Sequence, residues 1–543
     1  MEKKWNIKGT YSGDLTYDLL KIRNLDKSFL KPVNTSEIVN QIKWQIEDAR
    51  DIIVKHIKKA SPIVIYGDYD VDGVCATAIL YKTVQKDLGY EKILTFIPDR
   101  FDDGYGLSED SIEKVVKMVK EAYPLDPPGL LITVDCGITA VSACEHAKKI
   151  GFDILITDHH KKGEVLPKPN VLLWSDKLTG AGISYCLSLS LAGGRKEYLA
   201  LAALATVADL QPLVNFNRSI IIEGLKEFYS MAPVGLKALI DISGIDTNKI
   251  STYELSWILT PRLNASGRLE SALLSLNLLT NENATFVLDT ARKLNEINYE
   301  RQQKTKEMFD HAKNLDFTKD KVIVVSDPSY HEGVVGLVAG KLAQEFHKPA
   351  FVISSGAEIC KGSGRSIEGI DIIELLRKSS NRFISIGGHP MACGFSFKTT
   401  DLTLVTNELK ASAFSEIDER VLVSTLNIDL EIPLAMVTFL LCDEIALFEP
   451  FGFGNLEPVF VSNNVLVRDC KGVGADKRHL KFYFSDPQTK QSFNGIFFQG
   501  VEKLEGELPE QGSLVDLVFS PRKSLYNGRL SLDLHIKDLK IQK

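Results

Sequence analysis

Between residues 60 and 180 the chain alternates short β-branched apolar runs with longer mixed segments. The runs fall at 62–66, 93–98, 130–135, 153–158 and 171–174. Apolar runs this short, bounded by Gly, Pro and Asp, predict buried strands, and the alanine-containing apolar segments after them predict helices. Strand and helix alternating at this spacing predict an α/β domain with a doubly wound, mostly parallel sheet. From about 182 to 315 the pattern turns helical. Residues 283–315 contain neither proline nor glycine, which predicts one helix of ~50 Å at ~1.5 Å per residue, suited to connecting two lobes. A second α/β block opens at 322–326, with helices expected over 334–346 and 371–379 and a strand over 350–354. Beyond about 420, short alternating strands separated by turns predict a small β-barrel of the OB type. The expected boundaries are a polar, partly helical lead-in over 1–60, the first α/β domain over 61–215, a helical region with the connector over 216–318, the second α/β domain over 319–415 and the barrel over 416–543.

Composition narrows the class. A chain of 543 residues suits three or four domains at roughly 100–200 residues each. No stretch reaches the ~18 consecutive apolar residues of a membrane span, and the first residues lack the apolar centre of a secretory signal. The eight cysteines are scattered without a CxxC pair, which argues against zinc ribbons and for reduced thiols in a cytoplasmic protein. The net charge of −7 weighs mildly against a nucleic-acid binder, but it is a global count that a local basic groove can accompany.

The chemistry gathers at the carboxyl ends of the expected strands, the edge where open α/β sheets bind ligands. Asp68, Asp70 and Asp72 occupy alternate positions of an acidic turn, and in an extended chain all three would face one side. Asp135 ends the third strand, Asp158, His159 and His160 follow the fourth, and Asp209 closes an apolar helical run. Carboxylates this close repel one another, and a divalent cation relieves the repulsion. Alone, the acidic turn reads as a loop or a calcium site; position 12 counted from Asp68 is Ile79, not the glutamate of an EF-hand. Alone, the DHH triplet reads as a helix cap. Converging from four segments, they indicate two Mn²⁺ or Mg²⁺ ions, because the donors are mostly oxygen with some imidazole. Rival phosphate motifs fail: Val335 and Leu342 stand where a P-loop needs Gly and Ser or Thr, and the paired glycines lack the third glycine of a dinucleotide fingerprint.

The segments YGDYDVDG (66–73), TVDCG (133–137), TDHH (157–160) and ATVAD (205–209) resemble, in order, the four motifs of the DHH phosphoesterase family. The likeness covers about 60–540. It is strongest toward the branch that degrades single-stranded DNA, through FDDGYGL (101–107), TPRLNASGRLE (260–270), LNEINYERQ (294–302), HEGVVGLVAG (331–340), KGSGRSIEGIDI (361–372), GGHPMACGF (387–395) and FEPFGFGNLEPVF (448–460). Tyr330, where a tryptophan is usual, and WSDK at 174–177, in place of NPK, depart from that pattern. The resemblance implies a DHH catalytic domain, a DHH-associated domain and an OB-fold. It implies Asp70, Asp72, Asp135, His159 and Asp209 as metal ligands, with Asp68 and His160 in or beside that set and His160 alternatively meeting the scissile phosphate. Asp135, His159 and His160 carry the catalysis in this reading.

Among the remaining motifs, Arg268, Ser363, Arg365, Ser366 and His389 suit substrate phosphate, with His389 expected on a glycine turn. Tyr105 suits stacking on a base, and the barrel's basic residues with Phe482, Tyr483 and Tyr526 among them suit single-strand binding. The implied activity is two-metal hydrolysis of single-stranded DNA from the 5′ end, releasing nucleoside 5′-monophosphates in repair and recombination. The 5′ direction comes from the resemblance alone. Implied partners are single-stranded DNA, a helicase and a single-strand-binding protein, with no membrane and a monomeric chain. The nearest rival is a DHH oligoribonuclease or phosphodiesterase, against which the added barrel argues. A scaffold without catalysis is disfavoured because every ligand position is filled.

Overall fold

The computed structural model describes residues 3–33, 37, 42–100, 102–104, 106–379, 381–526 and 529–542. The chain divides into two units. One contains residues 32–422 with 452–454, and the other residues 1–31, 423–451 and 455–543.

The larger unit begins with a five-stranded sheet in the order Ile93–Phe96, Ile63–Gly67, Leu130–Val134, Asp153–Asp158, Val171–Trp174, every pairing parallel. The first strand in sequence thus lies between the second and third, and the strand order reverses there. Successive residues of a strand point to opposite faces, and both faces are covered here, so the strands are apolar throughout. Ile63 and Ile65 enter one core while Val64 and Tyr66 enter the other; Ile132 and Leu131 divide in the same way. Helices Lys43–Lys58, Val71–Lys82, Gly180–Ala192 and Lys196–Ala208 cover the first face, and Glu109–Ala122 with Val141–Ile150 the second.

The expected connector is a single helix, Ala284–Lys313, about 45 Å long at ~1.5 Å per residue. Val287, Ala291 and Leu294 near its start join the core of the first sheet, and Met308 and Ala312 near its end join the core of the second. That second sheet runs Phe383–His389, Ala392–Lys398, Ile359–Arg365, Ala350–Ser355, Ile323–Asp327, antiparallel except for the last pair. The glycine turn expected at His389 is not formed. Gly387, Gly388 and His389 lie in a strand, and Pro390 and Met391 turn the chain before Ala392. Gly388 has φ 141°, and a Cβ there would come within 2.3 Å of Ala392 O, so this glycine permits close strand pairing.

In the smaller unit, Phe460–Val473, His479–Ser485, Ser492–Phe497, Arg529–Ile541 and Leu514–Tyr526 pair in that order, and the last pairs back to the first, closing a five-stranded barrel. Lys4–Ile7 pairs in parallel with Thr425–Ile428, and the Trp5 indole N–H donates to Asp538 at 2.8 Å. Phe482 belongs to the barrel's interior, not to a nucleic-acid face. It is 1% exposed and stacks on Phe484 with centroids 5.0 Å apart, whereas Lys481 and Tyr483, one residue away on either side, are exposed. Side chains at i and i+2 of a strand share a face, so the apolar pair at 482 and 484 marks the inner one.

Phe482→Ala removes a fully buried ring and is expected to cost about 3–5 kcal/mol. Urea unfolding followed through the barrel's transition checks this, and an unmoved midpoint would contradict the assignment of Phe482 to the core.

Candidate metal centre

Two strand ends beside the order reversal start the site. After Ile63–Gly67, Asp68 enters the turn and Asp70 caps the helix Val71–Lys82, its Oδ1 accepting from the N–H groups of Asp72 (2.9 Å) and Gly73 (3.1 Å). The acidic turn therefore runs into a helix N-terminus, so its carboxylates are not presented from a continuous extended segment. Asp-x-Asp suits both, and the unpaired amides of a first helical turn favour carboxylates. Asp72, in that first turn, is buried and accepts from Gly180 N and Ala181 N, both at 2.7 Å, at the start of Gly180–Ala192. Two helix N-termini thus offset the charge of this one acidic segment.

Asp135 follows Leu130–Val134 with φ 62°, a left-handed conformation rare for a side-chain-bearing residue, and its N–H donates to Thr157 O at 3.0 Å. Gly180 makes room for it, since a Cβ at 180 would lie 2.5 Å from Asp135 Cβ. Asp158 organises the fourth strand's end. Its Oδ2 accepts from Ile138 N (2.8 Å), and its Oδ1 accepts from the backbone N–H groups of His159 (2.7 Å) and His160 (3.0 Å) and from His160 Nδ1 (2.8 Å). Asp209 follows Lys196–Ala208, and the Gln211 amide donates to its Oδ2 at 3.0 Å.

These elements bring all seven expected side chains together. His159 Nε2 stands 3.0 Å from Asp135 Oδ1, 3.6 Å from Asp72 Oδ2 and 3.8 Å from Asp209 Oδ2, and His160 Nδ1 lies 4.0 Å from Asp135 Oδ1. Three overlapping sets can each hold an ion: Asp68, Asp70, Asp135; Asp72, His159, Asp209; and Asp135, His159, His160. Asp68 Oδ1, Asp135 Oδ1 and His159 Nε2 are buried yet make no hydrogen bond. Asp135 Oδ1 and His159 Nε2 face each other at 3.0 Å outside hydrogen-bond geometry, the arrangement of two donors aimed at a third atom. The chemistry fits divalent cations, and the oxygen-rich set fits Mn²⁺ or Mg²⁺.

Burial, then the charge of Asp70, holds the Asp68 carboxyl well above the usual range. Burial, then Asp72 and Asp70, does the same to Asp135. Burial, Asp209 and Asp70 push Asp72 up to about 8. Burial lowers His159. Burial alone would lower His160 too, but the hydrogen bond and charge of Asp158 outweigh it and raise the ring to about 9.

A second group lies beside the first. Burial, then Arg100, Arg301 and Arg365, pushes Arg268 down to about 9. Arg100 sits 5.5 Å from the Tyr69 ring centroid, and the charges of both Asp68 and Arg268 act on Tyr69. Ser363 and Arg365 share one face of Ile359–Arg365, with Arg365 donating to Ser363 Oγ at 3.0 Å. Ser366 does not join them; its hydroxyl is turned to the carbonyl oxygens of Ile370 (2.6 Å) and Ile367 (3.2 Å). His389 is exposed at the end of its strand, and Tyr105 lies outside the described residues. Reading the sequence missed Arg100, the helix-start amides at 180–181, the orienting role of Asp158, and Asn264, whose Oδ1 accepts from Val71 N at 3.1 Å. The small residues at 180–182 were the available signal for close backbone approach.

A carboxyl protonated in the folded chain but ionised when unfolded makes the folded state bind more protons. Stability of the metal-free protein therefore falls as pH rises from about 4 through the Asp72 value of about 8. A bound cation removes that penalty. The melting-temperature gain from Mn²⁺ is expected to be larger at about pH 8 than at about pH 5, and the difference to shrink in Asp72→Asn. Equal gains at both pH values would contradict this electrostatic account. Gly180→Ala, which displaces Asp135, is expected to weaken Mn²⁺ binding about 10–100-fold, as titration calorimetry reads, while the far-ultraviolet spectrum stays unchanged.

Known families match this arrangement. Residues 62–210 match the DHH family, N-terminal domain, 319–420 the DHHA1 domain, and 428–538 the RecJ OB domain. The single-stranded-DNA-specific exonuclease RecJ of Bacillus subtilis (strain 168) is 34% identical over 511 residues, covering 91% of this chain; the chain spans 63% of that protein's length. The RecJ of Salmonella typhimurium (strain LT2) is 30% identical over 403 residues, 66% of this chain and 68% of that protein. The crystal structure of RecJ in complex with Mn²⁺ from Thermus thermophilus is similar with a TM-score of 0.84 at 25% identity, covering 99% of this chain and 80% of that one. By sequence, domain order and fold, the chain belongs to the RecJ family of DHH proteins.

Proposed function

We propose that this chain is a single-stranded-DNA-specific exonuclease that removes nucleoside 5′-monophosphates from the 5′ end with two Mn²⁺ or Mg²⁺ ions. The observation that carries the reading is the cluster of buried carboxylates and histidine with orphaned ligand atoms, with Arg100 and Arg268 close enough to act on the adjoining Tyr69. The relatives, single-stranded-DNA-specific exonucleases, supply the substrate class, and the crystal structure of the Thermus thermophilus relative in complex with Mn²⁺ supplies one of the metals.

Asp68, Asp70, Asp72, Asp135, His159 and Asp209 would hold the ions, which supply an activated water and neutralise charge on the phosphoryl group. Asp158 keeps His160 protonated through Nδ1, so the ring donates to a phosphoryl oxygen. Arg268, Arg365 and Ser363 hold substrate phosphate, a role that buried guanidinium groups serve through forked donors. Ser366 shapes the loop beside them, His389 meets the strand from the rim of its sheet, and Tyr105 stacks on a base. On the barrel, exposed Lys471, Lys477, Arg478, Lys481 and Tyr483 form the single-strand face, while Arg522 is engaged by Glu457.

Work on DNA ends in repair and recombination, beside a helicase and a single-strand-binding protein, follows from the family, and we place the monomeric chain in the cytoplasm. The eight free cysteines accord with that placement. None of the described helices is long and apolar enough to cross a membrane. A short-RNA ribonuclease or phosphodiesterase has no observation in its favour.

The test uses single-stranded DNA labelled at either end, with RNA and duplex controls, in Mn²⁺, Mg²⁺ or EDTA. Mononucleotides are expected from the 5′ end of single-stranded DNA only. Asp135→Ala is expected to lose more than the roughly 100-fold that removing an orienting partner costs. Release from the 3′ end, or preference for RNA, would overturn the assignment.

A further inference from the structure

Away from the carboxylates, the helical layer of the larger unit carries two half-buried arginines with no carboxylate partner among the described residues. Arg262 lies on Thr260–Leu269, and Asn298 and Arg301 stand one turn apart on Ala284–Lys313. Arg262 is anchored, its Nε donating to Asn295 Oδ1 at 3.0 Å and a terminal nitrogen to Ile258 O at 2.7 Å. Arg301 differs. Its Nε is buried and makes no hydrogen bond among the described residues, and Asn298, only 2% exposed, has its Oδ1 buried and unbonded as well. Burial and then Arg262 lower the Arg301 pKa, burial lowers that of Arg262, and no carboxylate acts on either.

A guanidinium serving only to pack the interior is ordinarily met by a carboxylate or by carbonyl oxygens, because an unpaired buried charge is costly. Arg262 partly satisfies that rule and Arg301 does not. An orphaned acceptor on Asn298 and an orphaned donor on Arg301 thus stand one helical turn apart on Ala284–Lys313 without bonding each other. The place is held in register with the acidic turn, since the helix of Arg262 also carries Arg268 and Asn264, whose side chain binds Val71 N at 3.1 Å.

We propose that Arg301, backed by Arg262 and flanked by Asn298, is a subsite for a backbone phosphodiester of the DNA strand, separate from the phosphate that meets Arg268 and Arg365. The proposal rests on the single-stranded-DNA reading above. Arg301 donates to a non-bridging phosphate oxygen, and the strand's negative charge replaces the absent carboxylate. Arg301 is a binding residue, so its loss weakens the hold on the strand and leaves the chemical step intact.

The experiment compares the wild type, Arg301→Gln and Arg301→Lys, all with Mn²⁺. The substrates are a single-stranded oligomer and the same oligomer with one neutral methylphosphonate linkage moved along it. The wild type is expected to show a KM increase on the order of tenfold at one linkage beyond the scissile bond. Arg301→Gln is expected to raise KM on the unmodified oligomer by a similar factor, to hold kcat within about twofold, and to lose the sensitivity at that linkage alone. Equal penalties on every oligomer would assign Arg301 to the scaffold and overturn the proposal. Should Arg301→Gln fail to fold, Arg301→Lys decides, since it keeps the charge and loses the fork. A linkage profile flattened at one position upholds the subsite, and a profile identical to the wild type overturns it. If even the wild type hydrolyses none of these oligomers, the nuclease reading fails, and the same comparison read as Kd by fluorescence anisotropy still decides the subsite.

Discussion

Asp68, Asp70, Asp72, Asp135 and Asp209 repel one another across a space from which water is largely excluded, and the first sheet is arranged to hold them there. Two of their strands flank the point where strand order reverses, so no crossover helix blocks the opening. Helix N-termini at Val71 and Gly180 supply backbone donors where a side-chain cation would compete with a metal ion. Asp135 adopts a left-handed conformation that costs roughly 1–3 kcal/mol, a strain the surrounding strands and Gly180 sustain. In the absence of cations the cluster answers its own repulsion by keeping protons; with them, the same oxygens become ligands.

The acidic residues were legible because parallel strands covered on both faces are apolar from end to end, so an aspartate just past each run is conspicuous. Asp68, Asp135 and Asp158 announce themselves in this way, and Asp209 does so at the end of the apolar helix Lys196–Ala208. Local geometry was less legible. Asp70 and Asp72 suit an extended turn and a helix start equally well, and only the contacts of Asp72 with Gly180 and Ala181 decide between them. The glycines at 387–388 suggested a turn because loose backbone and close strand pairing call for the same residue. Arg301 sits among Glu300, Gln302 and Gln303 in a stretch that reads as a solvated face; it is half-buried because Ala284–Lys313 packs against Thr260–Leu269, which is distant in sequence. The strand Lys4–Ile7 has four residues, too few for a period to show.

Among the described residues no ion pair joins Arg100, Arg268 or Arg365 to the carboxylates of the cluster, although the charge of Arg100 reaches Asp68; acid and base are kept apart to that extent. Had the arginines paired directly with the aspartates, each would have satisfied the other, and neither cation nor phosphate would have found unclaimed partners. Segregation leaves both groups poorly compensated, and a phosphate ester with its metal ions carries the complementary charges for both. Binding and folding then draw on one reservoir, since substrate and cofactor relieve a tension that the empty fold bears.

Trp5 and Asp538 form a hydrogen bond across 533 residues of sequence, and the strand at residues 4–7 finds its partner only at 425–428. On the ribosome this strand is made well before its neighbour; at roughly 5–20 residues per second the wait is tens of seconds. The larger unit can fold while the segment at residues 4–7 is still without its partner strand. The smaller unit is thus completed only once residues 529–541 have been made, and a nascent chain cut short of them would retain the metal-binding residues while lacking the closed barrel.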